Sequence, residues 1–463
     1  MDNKPIIAIA TAHGSGGIGI IRISGHNLEN LIKIICGQDL KPRYASLLNI
    51  YEEDDKSNII DKVIAVYFKN PHSYTGEDIL ELQAHGGMVV LDMLIQKCLN
   101  VGKNFGMRLA KAGEFTQRAF LNGKIDLIQA EAVADIINAN SENAVKSASL
   151  SLQGHFSKSI HELLDKLIYL RLLIESSIDF PEEELDYSHT QSIENQFNNI
   201  IENFNQIMRK SQQGYILHKG ISIVLAGEPN VGKSSLINAL AQKDVAIVTP
   251  IAGTTRDKIS IDIQINGVNV RLIDTAGLRE TNDTIEEIGI QRTWQAIQES
   301  NILLYITSFE EQNQSISNIN IPYENKIMGA ILEKNPNLEI IQVKNKSDLV
   351  YKSDAITRDM DNIINISAKT GYGLNDLRAK ILDIIGYKND NEGIFLARKR
   401  HINALQNTAH SIELAHSNFK YGNQIDLIAE ELRIAQENLN TITGNFTSDD
   451  LLGKIFSEFC IGK

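Results

Sequence analysis

The chain has 463 residues, a formal net charge of −13 at neutral pH and 43% hydrophobic residues. That composition excludes wholesale disorder, and it excludes a protein that coats nucleic acid by charge alone. Its three cysteines, Cys36, Cys98 and Cys460, are too few and too scattered for a disulfide framework and imply a reducing compartment.

The first stretch, MDNKPIIAIATAHG, lacks the charged and long apolar regions of a secretory signal. No apolar run reaches the roughly 20 residues needed to cross a bilayer, so the expectation is a cytoplasmic protein with no membrane association. Residues 1–118 mix short β-rich runs (IIAIA, IGIIRIS, KVIAVYF) with the turns HGSGG and KNPHSYTGED, which predicts an α+β domain. The run GSGGIG, Gly14 to Gly19, matches G-x-G-x-x-G, but a dinucleotide site needs a helix next and the sequence reads as a strand. Residues 119–214 carry apolar positions at helical spacing, as in QAEAVADIINAN and ELLDKLIYLRLLIESSI, and Pro181 is placed to end the second helix. The acidic EEELD after it has no histidine and reads as a solvated turn rather than a metal site.

Residues 215–386 alternate strands and helices, the signature of a mostly parallel, helix-covered sheet. Asn266-Gly267 inside ISIDIQINGVNVRLID predicts a type I′ hairpin turn. Residues 387–463 return to helical spacing, so the α/β unit reads as an insertion into one helical domain whose halves pair in space.

GEPNVGKS, Gly227 to Ser234, fits G-x-x-x-x-G-K-[ST] between a strand and a helix. Its backbone N–H groups, from Asn230, Val231, Gly232 and Lys233 into Ser234 and Ser235, face a nucleotide's phosphates. Lys233 reaches the β- and γ-phosphates, and the Ser234 hydroxyl suits Mg2+. GTTRD, Gly253 to Asp257, is placed to supply a threonine to that ion. In DTAG, Asp274 can hold the metal through water, and Thr275, Ala276 and Gly277 bring backbone to the γ-phosphate. NKSD supplies Asn345, Lys346 and Asp348. A carboxylate there accepts the ring N–H and the amino group of guanine, which adenine cannot offer. SAK, Ser367, Ala368 and Lys369, backs the base. The ligand is therefore GTP. Many GTP-hydrolysing switches place a glutamine after the DTAG glycine to orient water. Here Leu278 stands there, with neither donor nor acceptor.

These motifs, together with the C-terminal CIGK, resemble the MnmE (TrmE) family of tRNA-modification GTPases along the whole chain. The resemblance implies an N-terminal tetrahydrofolate-binding-like domain, a discontinuous all-α helical domain and an inserted Ras-like P-loop GTPase domain. It implies that K+ does part of the work Leu278 cannot, held by Asn230, Thr249, Ile251 and Thr254 of TPIAGTTRD, with Thr255 on Mg2+. Pro250 stands where many relatives carry an aspartate, and leaves the loop carbonyls in place. Glu286 matches the glutamate that orients water when two G domains meet, and with Lys233 makes up the implied catalytic pair. Arg22, Glu81, Lys124 and Lys463 match contacts to a folate, 5-formyl- or 5,10-methylenetetrahydrofolate, and Lys463 must then fold back to the N-terminal domain. Cys460 is either a packed thiol or a participant in the modification chemistry.

The implied function is K+-stimulated GTP hydrolysis, coupled to G-domain dimerisation, in the C5 modification of the wobble uridine of tRNA. An aminomethyl or carboxymethylaminomethyl group is added. The implied partners are a second copy of the chain and the FAD-dependent protein MnmG, in a heterotetramer with two copies of each, and tRNA, with no DNA. The alternative from another class is a ribosome-assembly GTPase switch, which shares the G domain but does not account for the folate-like front domain or CIGK. A folate-binding scaffold with a vestigial GTPase is a third reading, opposed by the intact guanine and phosphate motifs.

Overall fold

The structure is a computed structural model. It describes residues 3–52, 58–179, 187–227, 230–243, 260–274, 300–309, 338–349, 363–387, 393–422, 425–444 and 455–457, with a few isolated positions besides, Gly462 among them. The chain forms two compact units. One comprises residues 1–134, 152–186 and 410–463, and the other residues 135–151 and 187–409.

The first unit is built on a six-stranded sheet. Its strands are β1 (Ile6–Ile9), β2 (Gly16–Gly25), β3 (Ser46–Tyr51), β4 (Ile59–Phe68), β5 (Asp78–Gly86) and β6 (Arg108–Leu109), in the order β3-β4-β5-β2-β1-β6. All neighbours are antiparallel except β1 and β6. The glycine-rich run starts β2 and leads into strand, as its β-branched residues demand, so it is no dinucleotide loop.

Alternation divides the sheet into two faces. Ile21, Ile23, Val63, Ala65, Leu80 and Leu82 pack against helices α1 (Glu29–Cys36) and α2 (Met88–Gly102), burying Cys36 and Cys98 with them. Burial pushes both thiols up to about 12, which makes them inert. On the other face Ile6 and Ala8 meet Phe115 of α3 (Glu114–Leu121).

A polar network pins α3 to the sheet. Arg118, 6% exposed, reaches Glu77 at 3.0 Å and Glu114 at 3.1 Å, and donates to the Lys4 carbonyl at 2.9 Å. Glu77 also accepts from Ser24 Oγ at 2.7 Å. Arg108 donates to both oxygens of Glu114, at 2.8 and 2.6 Å. Burial alone would raise the Glu114 carboxyl, but donation from Arg108, the Lys111 N–H and Arg118 outweighs it and holds the group at about 2.

The part of α4 (Leu127–Asn138) up to Ala134 and α6 (His155–Asp179) complete this unit, with the helix Ile425–Thr443 from the far end of the chain packed on α6. Arg171 Nη1 donates to Gln436 Oε1 at 3.1 Å across that contact. The helices α6 and Ile425–Thr443, far apart in the sequence, thus pair in space. Further along, Phe456 and Phe459 pack on Leu127 and Ala130. Gly113, at φ +63°, has no room for a Cβ beside the Phe456 carbonyl, and Gly462 has none beside the Ile9 carbonyl. The C-terminal segment is therefore folded back onto β1. Pro181 and EEELD lie outside the described residues.

The second unit holds a six-stranded sheet in the order β12-β11-β10-β7-β9-β8: β7 (Ile221–Ala226), β8 (Ser260–Ile265), β9 (Val268–Asp274), β10 (Ile302–Ser308), β11 (Glu339–Asn345) and β12 (Ile363–Asn365). Only the β8–β9 hairpin is antiparallel within it. Its turn residues Asn266 (φ +49°) and Gly267 (φ +83°) both lie in the left-handed region that a type I′ turn requires. The core is aliphatic, with Ile223, Leu225, Val270, Leu272, Leu304 and Val343 against Leu236, Leu240, Leu377 and Ile381 of the covering helices α8 (Lys233–Lys243) and Leu374–Ile384. Helices α5 (Glu142–Leu152), α7 (Tyr187–Lys219) and Lys399–Lys420 are the remaining long helices described. Among the described residues no helix is long and apolar enough to cross a membrane.

Because Glu114 is held near 2 against an ordinary value of 4.5, its contribution to stability is complete above about pH 4.5 and is lost as pH falls toward 2. Glu114→Gln should therefore be less stable at neutral pH and show a flatter acid limb between those values. Urea denaturation at a series of pH values reads both effects. Parallel curves for the variant and the parent would show that Glu114 is not the linked group.

Candidate functional site

Strand order places the nucleotide site. After β7 the chain moves to β9 on one side and then to β10 and β11 on the other, so the loop after β7 sits at the point where the winding reverses. The register sets Asp274 opposite Leu225 and Ala226 opposite Tyr305, so that Gly227, Asp274 and Asn345 all emerge at one edge of the sheet.

Gly227 (φ +149°) lies so close to the Ile306 carbonyl that a Cβ would collide with it. Asn230 turns the loop at φ +67° and Gly232 at φ +96°, after which α8 begins at Lys233 with its N–H groups open to an anion. Lys233 Nζ donates to the Gly227 carbonyl at 2.7 Å, so the lysine arches back over its own loop. Ser234, Ser235 and Asn230 are exposed, which leaves their side chains open to a ligand or ion.

Asn345 ties the site together. It is 2% exposed. Its Nδ2 donates to the Val231 carbonyl at 2.8 Å, and its Oδ1 accepts from the Ala368 N–H at 3.0 Å. The phosphate loop, NKSD and SAK are thereby fixed to one amide. Gly232 is obligatory beside it, since a Cβ there would collide with Asn345 Nδ2.

Asp348 is exposed on the short 3-10 turn Ser347–Leu349, free to meet a base. Ser367 Oγ, itself fully buried, donates to Asp348 Oδ1 at 2.6 Å. That bond, more than the opposing effect of burial, lowers the Asp348 carboxyl, with Lys369 and Lys346 adding positive field. The group is ionised and acceptor-only, a state able to accept two N–H bonds from a base. Lys346 stands at φ +66° between them. Sequence reasoning assigns these residues but not the Ser367–Asp348 bond, which no spacing rule signals.

Thr249, Ile251, Thr254, Thr255, Thr275, Ala276, Gly277, Leu278 and Glu286 lie outside the described residues. So do Cys460 and Lys463.

In the first unit, Arg22 and Glu81 face each other in register across β2 and β5, on the face opposite α1 and α2. Arg22 Nε donates to Glu81 Oε1 at 2.8 Å. Arg22 Cζ lies 5.8 Å from the centre of the Tyr74 ring and 5.9 Å from that of Phe115, within cation–π range. Tyr74 Oη and Thr116 Oγ1 are 2.8 Å apart, which sets the ring. A guanidinium, a carboxylate and the Tyr74 ring thus form one polar patch, backed by the buried Phe115 ring. Neither ring is predicted as a site residue, and Tyr74 comes from a segment that reads as a loop. Lys124 lies against Gly76 and donates to the Pro71 carbonyl at 3.0 Å, at the base of the loop that carries Tyr74.

Comparison with known proteins decides the family. The MnmE helical domain model matches residues 127–460, and the model of the GTP-binding protein TrmE N-terminus matches residues 5–124. The chain belongs to the MnmE family. Proteins named tRNA modification GTPase MnmE run parallel to it from end to end. That of Cupriavidus metallidurans is 48% identical, over 99% of both chains. That of Herminiimonas arsenicoxydans is 48% identical, over 100% of this chain and 99% of its own. Partial overlaps with solved structures, such as that of Aquifex aeolicus Era bound to GDP.AlF4- at 24% identity over 42% of this chain and 67% of that one, have a TM-score of 0.28 and add nothing to this. Like its family, the chain is a GTP hydrolase, with a TrmE-type N-terminal domain, a helical domain in two stretches and a P-loop G domain.

Asp348→Ala should weaken GTP binding by the loss of charge-assisted bonds of about 1.5–3 kcal/mol each, on the order of tenfold or more per bond. Titration with a fluorescent guanine nucleotide measures it, and an adenine nucleotide should bind no worse than before. Unchanged GTP affinity would remove Asp348 from base recognition.

Proposed function

We propose that this MnmE-family GTPase acts in the cytoplasm on tRNA, in the C5 modification of the wobble uridine. The observation that carries the nucleotide part is the Asn345 amide, which joins three separate GTP motifs into one site. The relatives' shared name, tRNA modification GTPase, supports the substrate, since the likeness to them runs the full length of the chain. That same length weighs against a ribosome-assembly switch, which needs no such N-terminal domain.

On this reading Asp348 selects guanine, and the α8 N-terminus and Lys233 hold the phosphates. Ser234 and Asp274, with Thr255, are the residues to hold Mg2+. The exposed side chain of Asn230 offers an amide oxygen at the loop's crest, a hard donor suited to K+, to be joined by Thr249, Ile251 and Thr254. A monovalent cation there supplies the positive charge that an inserted arginine gives in other GTPases. Glu286 orients the water when two copies bring their G domains together, since Leu278 cannot.

The Arg22–Glu81 patch fits a folate in its chemistry. A carboxylate can pair with a pterin's amino group and ring N–H, and aromatic and guanidinium planes can stack on its ring. Lys124 and Lys463 are the candidate partners of the folate's own carboxylates. The tetrahydrofolate derivative carries the carbon to be transferred. The FAD-dependent partner MnmG completes the reaction in a complex with two copies of each chain.

Glu286→Ala should reduce GTP turnover strongly while GTP affinity stays within about twofold, as expected of a group acting chiefly in the transition state. Turnover of the parent should be high in KCl and low in NaCl at equal ionic strength. Equal rates in the two salts would refute the role of K+. Mass spectrometry of tRNA nucleosides from cells lacking the protein tests the whole reading. The C5-modified wobble uridines should disappear, and an unaltered nucleoside profile would overturn it.

A further inference from the structure

The loop KNPHSYTGED, which carries Tyr74, is also gripped by two cations. It begins with a turn in which the His72 N–H donates to the Lys69 carbonyl at 2.9 Å. Lys124 Nζ donates to the Pro71 carbonyl at 3.0 Å, and Arg43 Nη2 donates to the His72 carbonyl at 3.0 Å. Because those carbonyls are neighbours, the two cationic heads stand no more than about 11 Å apart. Both side chains are exposed. Arg43 reaches the turn from φ +60°, where residues other than glycine are uncommon, with its N–H on the Tyr67 carbonyl at 2.7 Å.

Neither charge is neutralised. Lys33 and Lys69 have Asp39 and Glu29 for partners, at 3.0 and 3.3 Å. The buried Asp78 uses its oxygens on the Leu28 and Asn70 N–H groups and the Tyr67 hydroxyl. Among the described residues, Arg43 and Lys124 meet neutral carbonyls and no carboxylate. Two uncompensated cations therefore stand at one exposed turn of a chain whose net charge is −13.

The turn adjoins the Arg22–Glu81 patch. From Pro71 to Tyr74, whose ring lies beside Arg22, the chain spans at most about 11 Å. The Lys124 stem lies against Gly76, and Asn122 Nδ2 donates to the Thr75 carbonyl at 2.7 Å, which holds the loop in place. A folate is longer than its pterin. Its benzoyl group carries a glutamate with two carboxylates, and each further γ-linked glutamate adds one more on a flexible chain. A tRNA backbone would call for a longer basic track than two cations in an acidic protein.

We propose that Arg43, with Lys124, binds the oligo-γ-glutamate tail of the folate, so that a polyglutamylated folate is preferred to the monoglutamate. The inference rests on the folate reading above. Arg43 gives one hydrogen to the turn, and the remaining N–H groups of its guanidinium are available to a tail carboxylate.

The test is calorimetry on the full-length protein with 5-formyltetrahydrofolate and with its pentaglutamate form. The pentaglutamate should bind about tenfold more tightly at low ionic strength, and the gain should shrink as salt is raised. Arg43→Gln should bind the monoglutamate within about twofold of the parent and lose most of the gain, whereas Arg43→Lys should keep part of it. Equal affinity of the parent for the two folates would overturn the proposal, as would a gain unchanged in Arg43→Gln. An equal fall in both affinities in Arg43→Gln would make Arg43 a structural support of the turn and overturn it too. Weaker tRNA binding by Arg43→Gln with the tail gain intact would assign the cations to RNA instead. Failure of the parent to bind either folate would overturn the folate reading and this inference with it.

Discussion

One buried side-chain amide holds the catalytic unit in working order. Asn345 gives its hydrogens to the phosphate loop through Val231 and receives one from Ala368, so loops leaving three different strands cannot drift apart. Each bond is worth about a kilocalorie per mole when made, and more when a buried partner is abandoned. The geometry of Gly232, with no room for a side chain against that amide, shows that the fit is steric as well as polar. The placement of Asp348 depends on this arrangement, since Ser367 both succeeds β12 and orients the Asp348 carboxylate.

The G domain is legible in the sequence because its chemistry is local. A phosphate loop needs glycines at fixed spacing, and a type I′ turn needs two residues that tolerate positive φ, which Asn266 and Gly267 supply. The glycine run at residues 14–19 is distinguishable from a dinucleotide loop on the same local grounds, since the residues after it are β-branched and form β2. That helical stretches on either side of an α/β unit could meet is readable from their positions, and one such contact, α6 on Ile425–Thr443, is present.

Features that depend on distant partners are not legible in this way. Tyr74 belongs to a turn-rich segment and Phe115 to a helix, and nothing local says that both rings meet Arg22. Glu77, Glu114 and Arg118 look like surface charges in the sequence, yet they are buried because each satisfies another. The division of the chain into units is also invisible there, because segments from three parts of the sequence share the first unit. Composition changes along a sequence, whereas compactness is a property of pairs.

The seating of Phe456, Phe459 and Gly462 against the N-terminal unit has a consequence for biosynthesis. Translation delivers β1 and α4 first, then the whole nucleotide-binding unit, and only afterwards the segment that covers Leu127 and Ala130. The nascent front portion therefore waits with part of its apolar surface uncovered while the second unit is synthesised. Slow elongation through the middle of the message prolongs that wait, and with it the need for a chaperone to shield the unfinished surface.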